Sequence, residues 1–292
     1  MGQFWETIPE NISRWILQQK MFWVATAPLS ETGHVNVSPK GGGSDYFGLL
    51  DNKTFWYLDL SGSGNETLSH LYENGRITVM FSAFEGPPRI VRLFGTGTVL
   101  ENDTGSNNNQ GRFVNEQGSM FAEFVKKHDV KLLPGARAII LVDVHQVGSS
   151  CGYSVPYYEF KDFRNTLNEF FRKKTEAYER GKKEDRMERY WAYKNAWSVD
   201  GMPGMKCALE TADKERIAPL EKMVGPNAPR PGRYALRRYT AGDMVLCAMV
   251  AVLVSGLLQA FATLWFWHGT EGLVELFKVL IQDFLDWVKG FE

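Results

Sequence analysis

Between Met21 and Val144, short runs rich in Val, Ile, Phe and Tyr follow one another with almost no helical pattern between them. The runs are Met21–Ala27, Val35–Val37, Thr54–Leu60, Arg76–Phe84, Arg89–Leu100 and Ala136–Val144, separated by turn clusters such as Ser30-Glu31-Thr32-Gly33 and Asp51-Asn52-Lys53. Strands that succeed one another without crossover helices pair antiparallel, so this pattern predicts an antiparallel sheet or barrel. One helix is expected inside it, from Asn65 to Glu73, stopped by Asn74-Gly75. Another is expected ahead of it, from a capping-box start at Thr7-Ile8-Pro9-Glu10 to about Gln19.

After Phe160 the texture turns helical and charged. Tyr190, Trp191, Tyr193 and Trp197 stand beside Arg189 and Lys194. Such a group could stack single-stranded bases, but an aromatic helix face packed on the barrel is the expected arrangement. With 33 Lys+Arg against 34 Asp+Glu the formal charge is −1, so no global field attracts nucleic acid, and none is expected as a partner.

Met244–Trp267 holds 24 residues without a charge. At 1.5 Å per residue this makes a helix of about 36 Å against a hydrocarbon core of about 30 Å, so the segment is expected to span a membrane once. Arg230, Arg233, Arg237 and Arg238 before it, with Glu271 and Glu275 after it, place the N-terminal domain in the cytosol. The expected organisation is a barrel domain over 1–160, a helical extension over 161–218, a Pro/Gly/Arg linker over 219–243, the span over 244–267 and an amphipathic tail over 268–292. Three cysteines, one of them inside the apolar run, suggest no disulfide framework.

The chemistry concentrates in two loops. Ser61-Gly62-Ser63-Gly64-Asn65-Glu66-Thr67 lies between a strand and a helix, where glycines let backbone N–H groups converge and the helix start adds partial positive charge. That is an anion site, most naturally for a phosphate. Ser38-Pro39-Lys40-Gly41-Gly42-Gly43 ends another strand, and Lys40 could supply the formal charge a phosphate needs; Arg89 and Arg92 could do likewise. Gly62-x-Gly64-x-x-Thr67 lacks the third glycine of a dinucleotide fingerprint, and its neighbouring strands lack crossover helices. No Walker motif follows the loop, the five histidines show no metal-ligand spacing, and no nucleophile elbow appears.

The stretches VATAPLSETGHVNVSPKG, FWYLDLSGSGNET and FEGPPRIVRLFGTG resemble the pyridoxamine 5′-phosphate oxidase-like flavoproteins. CGYSVPYYEF and YWAYKNAWSVDGMPG resemble the branch of that family, found in fungi and bacteria, that carries a helical C-terminal extension. The resemblance covers about residues 8 to 205. It implies a mainly β (α+β) split β-barrel that forms a homodimer with FMN at the subunit interface; a deazaflavin is the alternative on the same fold. It further implies that Lys40 is the phosphate-binding lysine and that Val35, Asn36, Val37 and Ser38 contact the flavin ring and ribityl chain. Tyr57, Ser61, Ser63, Asn65 and Thr67 fall where the family places ribityl and phosphate contacts, and Arg92 at the family's strand arginine. The C-terminal arginine and tryptophan pattern of the enzymes that oxidise vitamin B6 is not evident, so that substrate is not expected.

The expected function is therefore a membrane-anchored FMN oxidoreductase passing hydride or electrons between NADH or NADPH and a small acceptor. The rivals are a non-catalytic flavin or haem carrier or sensor, and a membrane-tethered interaction module without a cofactor. No catalytic acid or base stands out, since the flavin carries the redox chemistry.

Overall fold

In this computed structural model, residues 2–102, 116–223 and 249–256 are described, together with 259, 262, 263, 266, 278 and 282. The chain divides into two units, Met1–Leu236 and Arg237–Glu292. In the first, one antiparallel sheet contains β1 (Gln3–Trp5), β2 (Met21–Thr26), β3 (Asn36–Gly41), β4 (Phe47–Leu49), β5 (Thr54–Leu60), β6 (Arg76–Ser82), β7 (Ile90–Glu101) and β8 (Ala136–Ser150). Its strand order is β3-β2-β6-β7-β8-β5-β4, with β1 paired to the far end of β8.

The apolar runs of the sequence appear as strands, with two informative differences. The run at Val35–Val37 continues through Ser38-Pro39-Lys40 to Gly41, because β3 pairs with β2 from Asn36 opposite Thr26 to Gly41 opposite Met21. Pro39 is tolerated there because β3 is an edge strand, where one side of the backbone needs no donor. β8 runs on to Ser150 because its first half pairs with β5, its last residues with β1, and nearly its whole length with β7.

The sheet cannot be flat. β2 and β5 are separated by β6, β7 and β8, which in a flat sheet puts them about 19 Å apart. Yet the Phe22 ring of β2 lies 5.5 Å from the rings of Phe55 and Tyr57 on β5, and 5.1 Å from that of Phe47 on β4. The sheet therefore curls into a half-barrel whose two ends meet through aromatic side chains. All four are fully buried, and Phe22 meets its three partners edge to face, the geometry the ring quadrupoles favour.

Helices close the ends and one flank. α1 (Glu10–Leu17) buries Ile12 and Ile16, one turn apart, and its carbonyl cap is Pro9. No side chain caps it, so the expected capping box does not form. α2 (Glu66–Asn74) ends as expected at Gly75, whose φ of 71° lets its N–H return to the Leu71 carbonyl. α3 (Glu116–Lys127) lays Phe121 and Phe124 over Leu58, Leu100 and Ile139 on the outside of the sheet. The extension supplies α4 (Thr166–Glu179), α5 (Met187–Lys194) and α6 (Lys206–Glu215). Trp191, Ala196, Met205 and Ala208 join the barrel's own core, with Tyr190 and Trp197 packed against it, while Tyr193 is exposed.

The membrane expectation is corrected. Among the described residues no helix is long and apolar enough to cross a membrane. Within the apolar run the described residues are 249–256, 259, 262, 263 and 266, all of them helical. The remainder of the run, most of the linker and nearly all of the tail lie outside the described residues.

Phe22 stands where both ends of the sheet converge. Phe22→Ala is expected to lower stability by about 3–5 kcal/mol in urea unfolding; a loss below about 1 kcal/mol would mean that the aromatic cluster does not hold the curl.

Candidate functional site

The barrel's seam runs between edge strand β3 and β5. On β3 the side chains alternate. Asn36, Ser38 and Lys40 sit opposite Thr26, Val24 and Phe22 of β2, whose side chains are buried. Val35 and Val37 belong to the other side and are 71% and 61% exposed.

Lys40 reaches across the seam, its Nζ donating to Asp59 Oδ1 at 2.8 Å. The other oxygen of Asp59 accepts from Arg137 Nε at 2.7 Å, and Arg137 Nη1 donates to the Gly64 carbonyl at 2.7 Å. Asp59 is fully buried. Burial alone would push its carboxyl up, but Arg137 and Lys40 more than offset this and hold it below the ordinary carboxylate range. Two cations on one carboxylate leave the group with a net charge of +1. Lys40, with 21% of its side chain exposed, is the member that reaches the surface.

Around this group the polar side chains bond to one another. Ser38 Oγ donates to Asn36 Oδ1 at 3.0 Å, and Asn36 Nδ2 donates to Thr67 Oγ1 at 3.0 Å and to Thr26 Oγ1 at 3.3 Å. Thr26 Oγ1 bonds His70 Nδ1 at 2.9 Å, and burial lowers the pKa of that imidazole, keeping it neutral. The Tyr57 ring lies 5.8 Å from Lys40 Nζ. Its buried hydroxyl has no hydrogen-bond partner among the described residues, and burial beside Asp59 keeps it protonated.

The Ser61–Thr67 loop is held from outside by the extension. Trp191 Nε1 donates to Ser61 Oγ at 2.7 Å, and Ser61 Oγ donates to the Gly135 carbonyl at 2.7 Å. Asn195 Nδ2 donates to the Gly62 carbonyl at 2.9 Å. Across a trans peptide the next N–H points the opposite way, so Ser63, which is exposed, turns its N–H outward. The start of α2 is occupied by the chain's own carboxylate. Glu66 Oε2 accepts from the Asn65 N–H at 2.9 Å, and Oε1 accepts from the Val199 N–H at 3.1 Å, with Lys222 Nζ at 3.7 Å. Burial brings the Lys222 ammonium down to about 8. The helix N-terminus, the expected anion position, is thus already neutralised internally.

The fold brings Asn36, Ser38, Lys40, Tyr57 and Thr67 together at the seam, whereas Ser61 and Asn65 are buried and bond Trp191 and Ser69 instead, and Ser63 is exposed. Arg92 stands apart on the opposite sheet face, registered against Met80 and Gly148. Asp59, Arg137 and Asn195 complete the site without having been singled out in the sequence, and Trp191, read there only as part of an aromatic helix face, joins them. The signal for two of them was present: Asp59 interrupts FWYLDL and Arg137 interrupts GARAIILV, and a charge inside a buried strand requires a partner.

Residues 8–151 match the family model described as pyridoxamine 5′-phosphate oxidase. A curated protein of Aspergillus flavus, the pyridoxamine 5′-phosphate oxidase family protein ustO, is 38% identical over 216 residues, covering 72% of this chain and 80% of that protein. The chain belongs to the pyridoxamine 5′-phosphate oxidase family. The alignment to the fungal relative is longer than the matched barrel, so it takes in part of the extension that holds the loop. Solved structures with a partial likeness include HupZ of Group A Streptococcus, at 18% identity and a TM-score of 0.32 over 48% of this chain and 92% of that one. A FAD-binding protein of Mesorhizobium loti follows, at 12% identity and a TM-score of 0.29 over 51% and 96%. Likenesses at that level assign neither ligand nor reaction.

The Asp59 pairing in this family member has a pH signature. A carboxyl held below its unfolded pKa contributes stability that is present above about pH 4 and is lost as pH falls through the folded value. Asp59→Asn, which leaves Lys40 and Arg137 unneutralised, is expected to cost about 3–5 kcal/mol at pH 7. The gap from the parent protein should narrow below about pH 4. A gap independent of pH would show that Asp59 is not the ionised centre of the group.

Proposed function

We propose that this family member is a flavin-dependent oxidoreductase, binding FMN with the phosphate at Lys40 and passing hydride or electrons between NADH or NADPH and a small acceptor. The observation that carries the reading is the convergence at the seam. Residues from β3, from β5 and from the Ser61–Thr67 loop, far apart in sequence, meet around a cationic group whose exposed end is an ammonium. A phosphate dianion suits that donor set, because Lys40 Nζ keeps two N–H bonds beyond the one it gives Asp59. The outward N–H and hydroxyl of Ser63 add neutral donors on the rim. When bound, the flavin supplies the redox chemistry, and the chain's own residues bind, orient and shield it. Because Glu66 fills the helix start, phosphate binding rests on Lys40 and the rim of the loop, not on the helix dipole.

We further read the exposed face of β3, with Val35 and Val37, as the place where a second copy docks to form a homodimer around the flavin. An edge strand carrying exposed branched apolar side chains is a surface that partners cover.

Purified full-length protein is expected to carry one flavin per chain by absorbance, with FMN identified by the mass of the chromophore released on denaturation. A deazaflavin or haem would be recognised in the same spectrum. Lys40→Ala should weaken FMN binding about 10- to 100-fold, the worth of one charge-assisted hydrogen bond. Lys40→Arg should retain most of it. Unchanged affinity in a folded Lys40→Ala protein removes Lys40 from the site, and a parent protein that refuses added FMN removes the flavoprotein reading.

A further inference from the structure

His34 stands two residues ahead of β3, at the head of the alternation that places Asn36, Ser38 and Lys40 on one side of the strand. Both oxygens of the Asp200 carboxylate close on it: Oδ2 accepts the His34 backbone N–H at 2.8 Å, and Oδ1 lies 2.6 Å from Nδ1. The Asp200 side chain is 8% exposed, the imidazole 56%. A carboxylate only accepts hydrogen bonds, so Nδ1 carries the proton, and among the described residues Nε2 has no hydrogen-bond partner.

A purely structural tie accounts poorly for this pair. The turn that carries Asp200 is already fastened by the Val199 N–H on Glu66, the Met202 N–H on Ser198 Oγ and the bridge between Trp197 and Pro203. The imidazole is more than half open to solvent, where a tie gains little. What the pair does provide is an oriented imidazole of fixed tautomer, the arrangement by which a carboxylate prepares a histidine for proton transfer. Asp200 stands with Glu66, Glu73 and Arg76 among the charged groups that act on His70 of α2, and Glu31 lies on the loop of His34.

We propose that His34 is the proton donor to a carbonyl- or quinone-type acceptor reduced at the flavin, with Asp200 as its positioning residue. This rests on the flavoprotein reading above. The pyridine nucleotide provides the reducing equivalents. The acceptor gains two electrons and one proton as hydride from the reduced flavin. Its oxygen gains a second proton from Nε2 of the doubly protonated His34 ring, the O–H bond forming as the Nε2–H bond breaks; this leaves the Nδ1–H tautomer facing Asp200, and Nε2 then recovers a proton from solvent. Asp200 stays ionised throughout.

Two measurements test this on the full chain. In ¹⁵N-histidine NMR at a pH where the ring is neutral, His34 should be the Nδ1–H tautomer, and Asp200→Asn should shift it toward Nε2–H; an Nε2–H ring in the parent protein overturns the proposal without any reference to flavin. In turnover of the FMN-loaded protein with NADPH and 1,4-benzoquinone, the parent rate should fall as pH rises. His34→Gln should lower it about 100-fold and flatten the profile with FMN content unchanged. Full flavin with an unchanged rate and profile in His34→Gln overturns the proton-donor role alone. A parent protein that binds no FMN overturns the flavoprotein reading and the role together.

Discussion

A carboxylate buried in the wall of a half-barrel sets the terms for the rest of this molecule. Asp59 has no access to water, and an ionised carboxylate there is costly unless it is paired and hydrogen-bonded. Arg137 satisfies it from the neighbouring strand β8, and Lys40 from β3 at the far end of the strand order. Only a curled sheet lets Lys40 reach it. The pair is therefore a polar counterpart, on the same seam, of the Phe22–Tyr57 contact.

The same group reaches outward in two directions. Arg137 extends from Asp59 to the Gly64 carbonyl, so the loop before α2 is tied to the buried charge. The extension then holds that loop from the other side through Trp191 and Asn195. The loop is less an open phosphate cradle than a rigid backing, braced inside by Arg137 and outside by the helices. Lys40 is anchored at one N–H and partly exposed, and in the function proposed above it is the cation offered to a ligand. On that proposal Glu66 can occupy the helix start without displacing the anion.

Much of the barrel was legible in the sequence because apolar, β-branched runs between turn clusters report strands directly. Gly75 was legible for a local reason, since only a residue at ease with positive φ ends α2 there. β1 and β4, three residues each, are too short to show an alternation, and α3 follows a polar segment that hides its start. The resemblance in HVNVSPKG and GSGNET pointed to Asn36, Ser38, Lys40 and Thr67, and the structure gathers them. It could not reveal the pairing of Arg137 with Asp59 or of His34 with Asp200, which are 78 and 166 positions apart, separations that only the fold closes. The span expected at Met244–Trp267 is not borne out, since among the described residues no helix is long and apolar enough to cross a membrane.

The claim on which this account depends is that Lys40 and Asp59 act as one unit across the seam. A double-mutant cycle with Lys40→Met and Asp59→Asn, read by urea unfolding at pH 7, tests it most directly. A coupling of about 1.5 kcal/mol or more is predicted. Losses that add to within about 0.5 kcal/mol would contradict it, and the seam would then be closed by its aromatic rings alone.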